Sequence, residues 1–566
     1  MKKCYGVDIE KQRVALLKSD VARKIYLPII EKADKSIEKT YPALKMSEFM
    51  MFDETGDRAV FEKGYFERRN DCSYILVAYW LTEDEKYRKP LIDLICMMCD
   101  EFTWCLPAHI HTDPLPEGYL SSSGVVDLFA AETARLLADV CDVVGDKLPD
   151  FIYERIAYEI DRRITKPLLK WKFWWQRCTH NWAAVCASGS ARAVIKFAKD
   201  DEIKALIPMF ETCMEHFLSG YKDDGCCLEG FAYWRYGFGY FVIYADLMLE
   251  YTSGRVNYFE NEKVRNIAMF PQRIRMGKGK TVCFSDGVND FTIGSGIICY
   301  LRKQYGDAVQ YPSIEYLGHK GNVFSINELL WFDAEYKEDE LSDATEIFEG
   351  AQWYITRRKN YSFAAKGGHN YEPHNHNDVG SFMIVASDDT VPLADIGAEK
   401  YRKETFTLDT RYNLLNHASW GHSVPIINGC GYQVYGKGYE AKNVRCGENT
   451  FSLDIEGAYE AGIIEKIHRE FELSDKCVVL RDSFEFSDKT EYVTERFVSW
   501  DEPQIAAGVV SVGNASVNFD ANRYSVSYST ATYRSHKGNE PVKVYLIDFN
   551  GKDEKESCFE FEFKMK

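Results

Sequence analysis

The sequence predicts a two-part chain: an incomplete α/α toroid over residues 1–335, followed by an antiparallel β-sandwich over 336–566. Three observations predict it. At 566 residues the chain is longer than one hydrophobic core ordinarily fills, so more than one domain is expected. The first part repeats apolar side chains at helical spacing, one amphipathic stretch after another, with no strand-like run between them. From about residue 345 the apolar pattern changes to alternation, which is the period of a half-buried strand.

Each element follows from its own residues. Helical stretches are expected over 72–81, 203–219 and 238–251, separated by short polar or glycine-containing turns. Ser121–Ser123 supply hydroxyls for the N-cap of a helix whose face carries Val125, Phe129, Leu136, Val140 and Val143. Ile152, Ile156, Ile160 and Ile164 keep a stride of four, and Pro167 is expected to stop that helix. Residues 335–346 (EYKEDELSDATE) read as an acidic linker or, equally, as a solvated helix face. Strands are expected at 381–385, 477–480, 542–547 and 559–564, the last alternating strictly as FEFEFK. Asp388-Asp389, Asn428-Gly429 and Asn550-Gly551 mark turns between such runs.

Composition removes several classes of function. Hydrophobic residues make up 46% and charged residues 28%, a folded rather than a disordered balance. The net charge of −18 argues against a nucleic acid or an anionic membrane surface as partner. No apolar run is long enough to span a bilayer, and Asp8 and Glu10 interrupt any secretory h-region, so a cytoplasmic location is expected. The 17 cysteines show no metal-finger spacing and are expected to be free, mostly buried thiols. Oligomeric state is left open, a homo-oligomer included. The 36 Tyr, 34 Phe and 11 Trp serve core packing, and they are also what a carbohydrate cleft uses to stack sugar rings.

The most informative stretch is 366–382, KGGHNYEPHNHNDVGSF. Three of the 12 histidines fall within eight positions there, and His417 and His422 follow at the next strand-turn. In an extended chain His374 and His376, two apart, project to the same side, which serves either a metal or a proton-transfer site.

The run His374–Phe382 resembles the signature of heparinase II/III-like polysaccharide lyases, which place it at the start of a β-sandwich after an α/α toroid. Asp395–Gly397 and Gly421–Val424, followed by Asn428-Gly429, are similar to the family's next blocks. In the helical half, Thr179–Trp182 with Val185-Cys186, and Glu229-Gly230 through Tyr236-Gly237, resemble its Asn-Trp and Glu-Gly…Tyr-Gly helices. The likeness spans roughly residues 100–430 in five ordered motifs.

It implies a lyase that cleaves uronate-containing glycans, heparan-type or another glycosaminoglycan, by β-elimination. That reaction removes the C5 proton of a uronate and expels the C4 oxygen substituent. The adjacent carboxylate is already negative, so it must be neutralised while a base acts at C5 and an acid at the leaving oxygen. Asn181 fits the neutralising role, because an amide donates without titrating. Tyr236 fits base, acid or both, with Tyr233 and Tyr240 on neighbouring turns as alternatives. His374 fits a partner base or a stabiliser. Tyr233, His369 and Tyr401 are expected to contact substrate, Tyr401 because it resembles a site tyrosine of alginate-type lyases.

The resemblance also implies a structural Zn²⁺ on His376, Asp395 and His422, and no organic cofactor. The partner is then an acidic oligosaccharide, and a local basic lining must outweigh the acidic field within about 8–10 Å. The alternatives are an alginate- or glucuronan-type oligosaccharide lyase, an α/α-barrel glycoside hydrolase, and an inactive glycan-binding protein. The hydrolase needs two opposed carboxylates, for which Glu229 and Asp378 are the candidates.

Overall fold

A computed structural model describes residues 5–111, 124–319, 323–534, 540–553 and 556–565. Its internal contacts separate two compact units. The helical unit comprises 1–221, 233–268 and 292–339, and the sheet unit comprises 222–232, 269–291 and 340–566. The last crossing between the units follows Asp339, and two stretches of the helical half of the sequence, 222–232 and 269–291, belong with the sheets. Neither stretch is periodic enough to announce itself. The second is a small hairpin closed by the bridges Arg275–Thr281 and Lys280–Asp290.

In the helical unit, helices Ala59–Thr82, Leu128–Val144, Asn181–Phe197, Asp200–Ser219 and Gly239–Tyr251 carry the buried apolar faces. Asn181–Phe197 and Asp200–Ser219 form a hairpin, and Glu202 closes its turn by accepting from the Lys199 N–H at 2.9 Å. Helices Leu128–Val144 and Asn181–Phe197 approach closely because Gly189 has no side chain. A Cβ there would lie 2.5 Å from the Ala131 carbonyl oxygen.

Two expectations about helix ends are corrected. The helix after residue 120 begins at Leu128 and is capped by Asp127, whose carboxylate accepts from the Phe129 and Ala130 N–H groups. Ser121–Ser123 lie outside the described residues. Pro167 does not stop its helix: Asp150–Ile160 passes through a π turn, Asp161–Thr165, into Lys166–Lys170. Pro167 sits in the first turn of that last segment, directly after the π turn.

The sheet unit contains sixteen described strands: β1 (Ala344–Phe348), β2 (Trp353–Arg357), β3 (Tyr361–Lys366), β4 (Phe382–Ala386), β5 (Ile426–Ile427), β6 (Lys442–Cys446), β7 (Thr450–Asp454), β8 (Lys466–Leu473), β9 (Cys477–Glu485), β10 (Val493–Ser499), β11 (Gln504–Ala506), β12 (Val509–Val512), β13 (Ala515–Asn518), β14 (Tyr524–Tyr533), β15 (Val542–Gly551) and β16 (Cys558–Met565). They form antiparallel sheets in the orders β1-β2-β3-β4, β14-β15-β10-β5 and β11-β12-β13-β16-β9-β8-β7-β6. All three contribute to one core, including Phe363, Phe382, Phe471, Phe497, Phe549 and Phe561. The alternation in β16 matches its burial, with Phe559, Phe561 and Phe563 inward. The acidic stretch before β1 is neither helix nor free linker, since Tyr336 is buried and stacks on Tyr311 at 4.2 Å. Asn550-Gly551 ends β15 rather than forming a turn, because Asn550 still pairs with Thr494 and Ser525.

Buried Arg469 ties this core to the loops above it. Its guanidinium is held by Asp482 and Glu495, and it donates to the carbonyls of Gly380 and Ser423 at 2.8 and 2.7 Å. Gly380 and Ser423 flank the two histidine-bearing segments, so one buried cation anchors both. Among the described residues every cysteine is a free thiol, most of them buried, and no helix is long and apolar enough to cross a membrane.

Candidate active site

The loop between β3 and β4 carries the histidine motif. Lys366, at the end of β3, is buried and donates to Glu372 at 3.2 Å and to Asp378 at 2.7 Å, drawing the two ends of the loop together. Backbone bonds stitch its first half to residues 436–441: Asn370 N–H to Tyr439 O, Gly436 N–H to Asn370 O, and Ala441 N–H to Gly368 O. His374 then takes a left-handed backbone, φ +54°, a conformation that a side chain other than glycine's adopts at a cost.

That backbone places His374 between two carboxylates from the helical half of the sequence. Its Nδ1 lies 2.6 Å from Asp286 and its Nε2 lies 3.1 Å from Glu229. Burial opposes charge on the ring, but the hydrogen bonds and charges of Asp286 and Glu229 outweigh it and raise the His374 pKa to about 9. His374 therefore carries its proton at neutral pH. Tyr401 joins the group, donating to Asp286 at 2.5 Å with its oxygen 3.3 Å from His374 Nδ1. Asp286 also accepts from His376 Nε2 at 3.1 Å. Burial alone would raise the carboxyl pKa of Asp286, but the two histidines hold it well below the usual range.

His369 is not part of this group. Its Nδ1 accepts from the Tyr371 N–H, its own N–H donates to Glu372, and it bridges to Glu440. Asp378 is fully buried against Lys366, and Glu229 is engaged with His374. Neither is placed as one of the opposed carboxylates that a glycoside hydrolase needs.

The expected metal set is partly assembled. His422 Nδ1 lies 3.1 Å from Asp395, which also accepts from Ser381 Oγ at 2.8 Å. The third ligand atom close to both belongs to Asp378, all three lying within 4.8 Å of one another. His376 is not in that close set, and its Nε2 meets Asp286. The donor chemistry nevertheless suits Zn²⁺. Asn416 O accepts from His422 Nε2 at 2.9 Å, so the second nitrogen, Nδ1, faces Asp395. The Nδ1 of His376 and the second oxygen of Asp378 have no hydrogen-bond partner among the described residues. Two imidazoles whose other nitrogens are held by a carbonyl and a carboxylate, beside a buried acid, form a recurrent zinc environment.

In the helical unit the structure brings two other candidates together. Asn181 opens the helix Asn181–Phe197 and is 7% exposed. Its side-chain amide makes no hydrogen bond to another described residue. It packs on Gly237, where a Cβ would lie 3.2 Å from that of Asn181. The preceding residue, Tyr236, lies in a π turn, Trp234–Phe238, of the kind often found at functional sites. Its hydroxyl donates to the buried Glu132 carboxylate at 2.7 Å. Burial and the Glu132 charge push the phenol well above its ordinary pKa, and burial raises Glu132 as well. Tyr240 packs edge-on against Tyr236 at 5.6 Å, and Tyr233 lies half-buried one turn earlier. An aromatic group of Trp174, Trp182 and His109 lies beside Asn181, with Trp182 4.8 Å from each of the other two rings.

Sequence reasoning missed Asp286 and Glu132 and gave Glu229 a different role. Glu132 had a signal: in 128–137 (LFAAETARLL) it falls on the same face as Phe129 and Leu136, a carboxylate among apolar residues. Asp286 sits in an Asp-Gly pair that reads as an ordinary turn.

No family model and no curated protein matches the sequence. Solved structures do. The heparan sulfate lyase HepC of Pedobacter heparinus aligns over 98% of this chain and 86% of its own, with TM-score 0.61 and 14% identity. The chondroitin AC lyase of Streptomyces coelicolor A3 aligns over 98% and 82%, with TM-score 0.56 and 10% identity. A Paenibacillus xanthan lyase aligns over 98% and 59%, with TM-score 0.55 and 10% identity. This chain has the helical-then-sandwich fold of these three lyases.

Proposed function

We propose that this protein is a lyase cleaving uronate-containing oligosaccharides or polysaccharides by β-elimination. The observation that carries the reading is Asn181: a nearly buried amide without a hydrogen-bond partner among the described residues, packed against the residue that follows a phenol–carboxylate pair. Asn181 donates to the uronate carboxylate, so the negative charge released at C5 has somewhere to spread. Tyr236 takes the C5 proton as its own proton shifts to Glu132, whose raised pKa suits it to receive one. The C5–H electron pair becomes the C4=C5 double bond, and the C4–O bond breaks with its electrons. The proton now on Tyr236 passes to the leaving oxygen, and Glu132 returns the phenol to its starting state.

The test is a panel of uronate oligosaccharides drawn from heparan sulfate, chondroitin, hyaluronan, glucuronan and alginate. The expected result is a rise in ultraviolet absorbance from the conjugated double bond, with product masses that sum to the substrate mass. Products that gain one water from every cleaved substrate would overturn elimination in favour of hydrolysis. The member of the panel that is cleaved separates a glycosaminoglycan from an alginate- or glucuronan-type substrate.

A structural Zn²⁺ belongs to the same reading, held by His376, Asp395 and His422 with Asp378 beside them. When bound, the ion supplies a fixed positive charge that holds these segments in place. Protein purified without chelator is expected to carry about one zinc per chain by elemental analysis, and chelation is expected to lower Tm. Protein that retains no zinc after incubation with the ion and desalting overturns the assignment.

A further inference from the structure

The net charge of −18 leaves a question that the catalytic groups do not answer: what in the sheet unit attracts an anionic chain. A group of side chains next to His374 has the chemistry for it. Tyr371, three residues before His374, is 44% exposed. Its ring lies 5.5 Å from Tyr435, and Tyr435 stacks on Tyr412 at 5.0 Å and 25°. These three rings come from separate segments of the chain, and none belongs to the buried core. The backbone bonds at Asn370, Gly436 and Tyr439 fix the first two segments to each other.

Two cations accompany the rings. Lys437 lies 5.3 Å over the Tyr371 ring, exposed to solvent. Arg411 donates to the carbonyls of Asn375 and Thr405, at 3.0 and 2.7 Å. Neither cation forms an ion pair with a carboxylate among the described residues, in a chain where acids outnumber bases by 87 to 69. A flat aromatic surface stacks the C–H face of a sugar ring, and uncompensated cations beside it select a ring that carries a carboxylate or sulfate.

We propose that Tyr371, Tyr412 and Tyr435, with Lys437 and Arg411, form a subsite that holds an anionic sugar residue of the glycan next to the His374 segment. The assignment rests on the glycan reading above and adds to it the contacts that recognise the chain.

The experiment measures binding apart from cleavage. Titration calorimetry uses the protein carrying Tyr236→Phe, so that bound glycan is not consumed, with hexasaccharides of hyaluronan, heparan sulfate and alginate. In that background Tyr371→Ala and Lys437→Ala are each expected to weaken the tightest of these hexasaccharides about three- to tenfold. Tyr371→Phe, which keeps the ring, is expected to retain the affinity. A larger loss from Lys437→Ala with heparan sulfate than with hyaluronan assigns the anion to sulfate; equal losses assign it to the carboxylate. Unchanged affinity in both alanine variants overturns the subsite, and so does failure of the starting protein to bind any of the three. Loss of binding in a protein whose products prove to be hydrated keeps the subsite and removes the lyase. Intact elimination with unchanged binding does the reverse.

Discussion

Tyr236→Phe is expected to lower kcat by ~10²–10⁴-fold, the range for removal of a general acid or base. The substitution keeps the ring and its edge-on contact with Tyr240, so packing in the π turn is retained. What disappears is the proton shared with Glu132. Glu132 loses a donor in a buried position, which costs about 1–3 kcal/mol of stability. The cost falls toward the low end because burial already favours its neutral form. The matched control is Tyr233→Phe, one turn earlier, expected to turn over at near-native rate. Single-turnover rates on the same uronate oligosaccharide decide between them. If Tyr233→Phe is inactive and Tyr236→Phe is not, the catalytic phenol has been placed one turn too far along this helix. Full activity in both removes this helix from the chemistry altogether.

Asn181→Ala is expected to reduce kcat/KM by ~10²–10³-fold, the loss typical of one oxyanion donor. Because the amide has no hydrogen-bond partner among the described residues, its removal leaves none of their buried groups unpaired, and thermal stability is expected to change little. That separation is unusual for a nearly buried polar residue and makes the variant a clean measurement. Asn181→Asp is a second arm of nearly identical shape. A carboxylate there repels the uronate carboxylate instead of neutralising it, so it is expected to be at least as damaging as alanine. An aspartate variant with near-native kcat/KM would show that the amide does not face the substrate's charge.

The strands at 477–480 and 559–564 were legible because a half-buried strand writes its orientation into every second residue, whereas those at 381–385 and 542–547 were legible as short apolar runs, the first buried throughout. The helix over 203–219 was legible from an apolar face long enough to set a period, whereas Gly239–Tyr251 is apolar and buried on nearly every side. Pro167 misled because a proline is read against an uninterrupted helix. The π turn before it moved the proline to the start of a new segment, where its ring is tolerated. Asn550-Gly551 misled for a similar reason: pairing with two neighbouring strands overrides the local preference of two residues for a turn.

For the candidate site, sequence alone determined the residue types with unusual chemistry and their local spacing: Asn181, Tyr236, His374, His376, Asp395 and His422 all stand in short motifs. Periodicity likewise determined that helices precede sheets. Only tertiary structure decided which charges those residues meet. Asp286 and Glu229 lie 88 and 145 positions before His374, in segments without a period, yet they turn its imidazole into a cation. Asp286 also holds the Nε2 of His376 and leaves its Nδ1 without a partner among the described residues. The physical reason is range: backbone preference and amphipathicity act over a few residues and leave a trace in sequence, whereas a protonation state depends on burial and on charges within a few ångströms, which chain folding alone assembles.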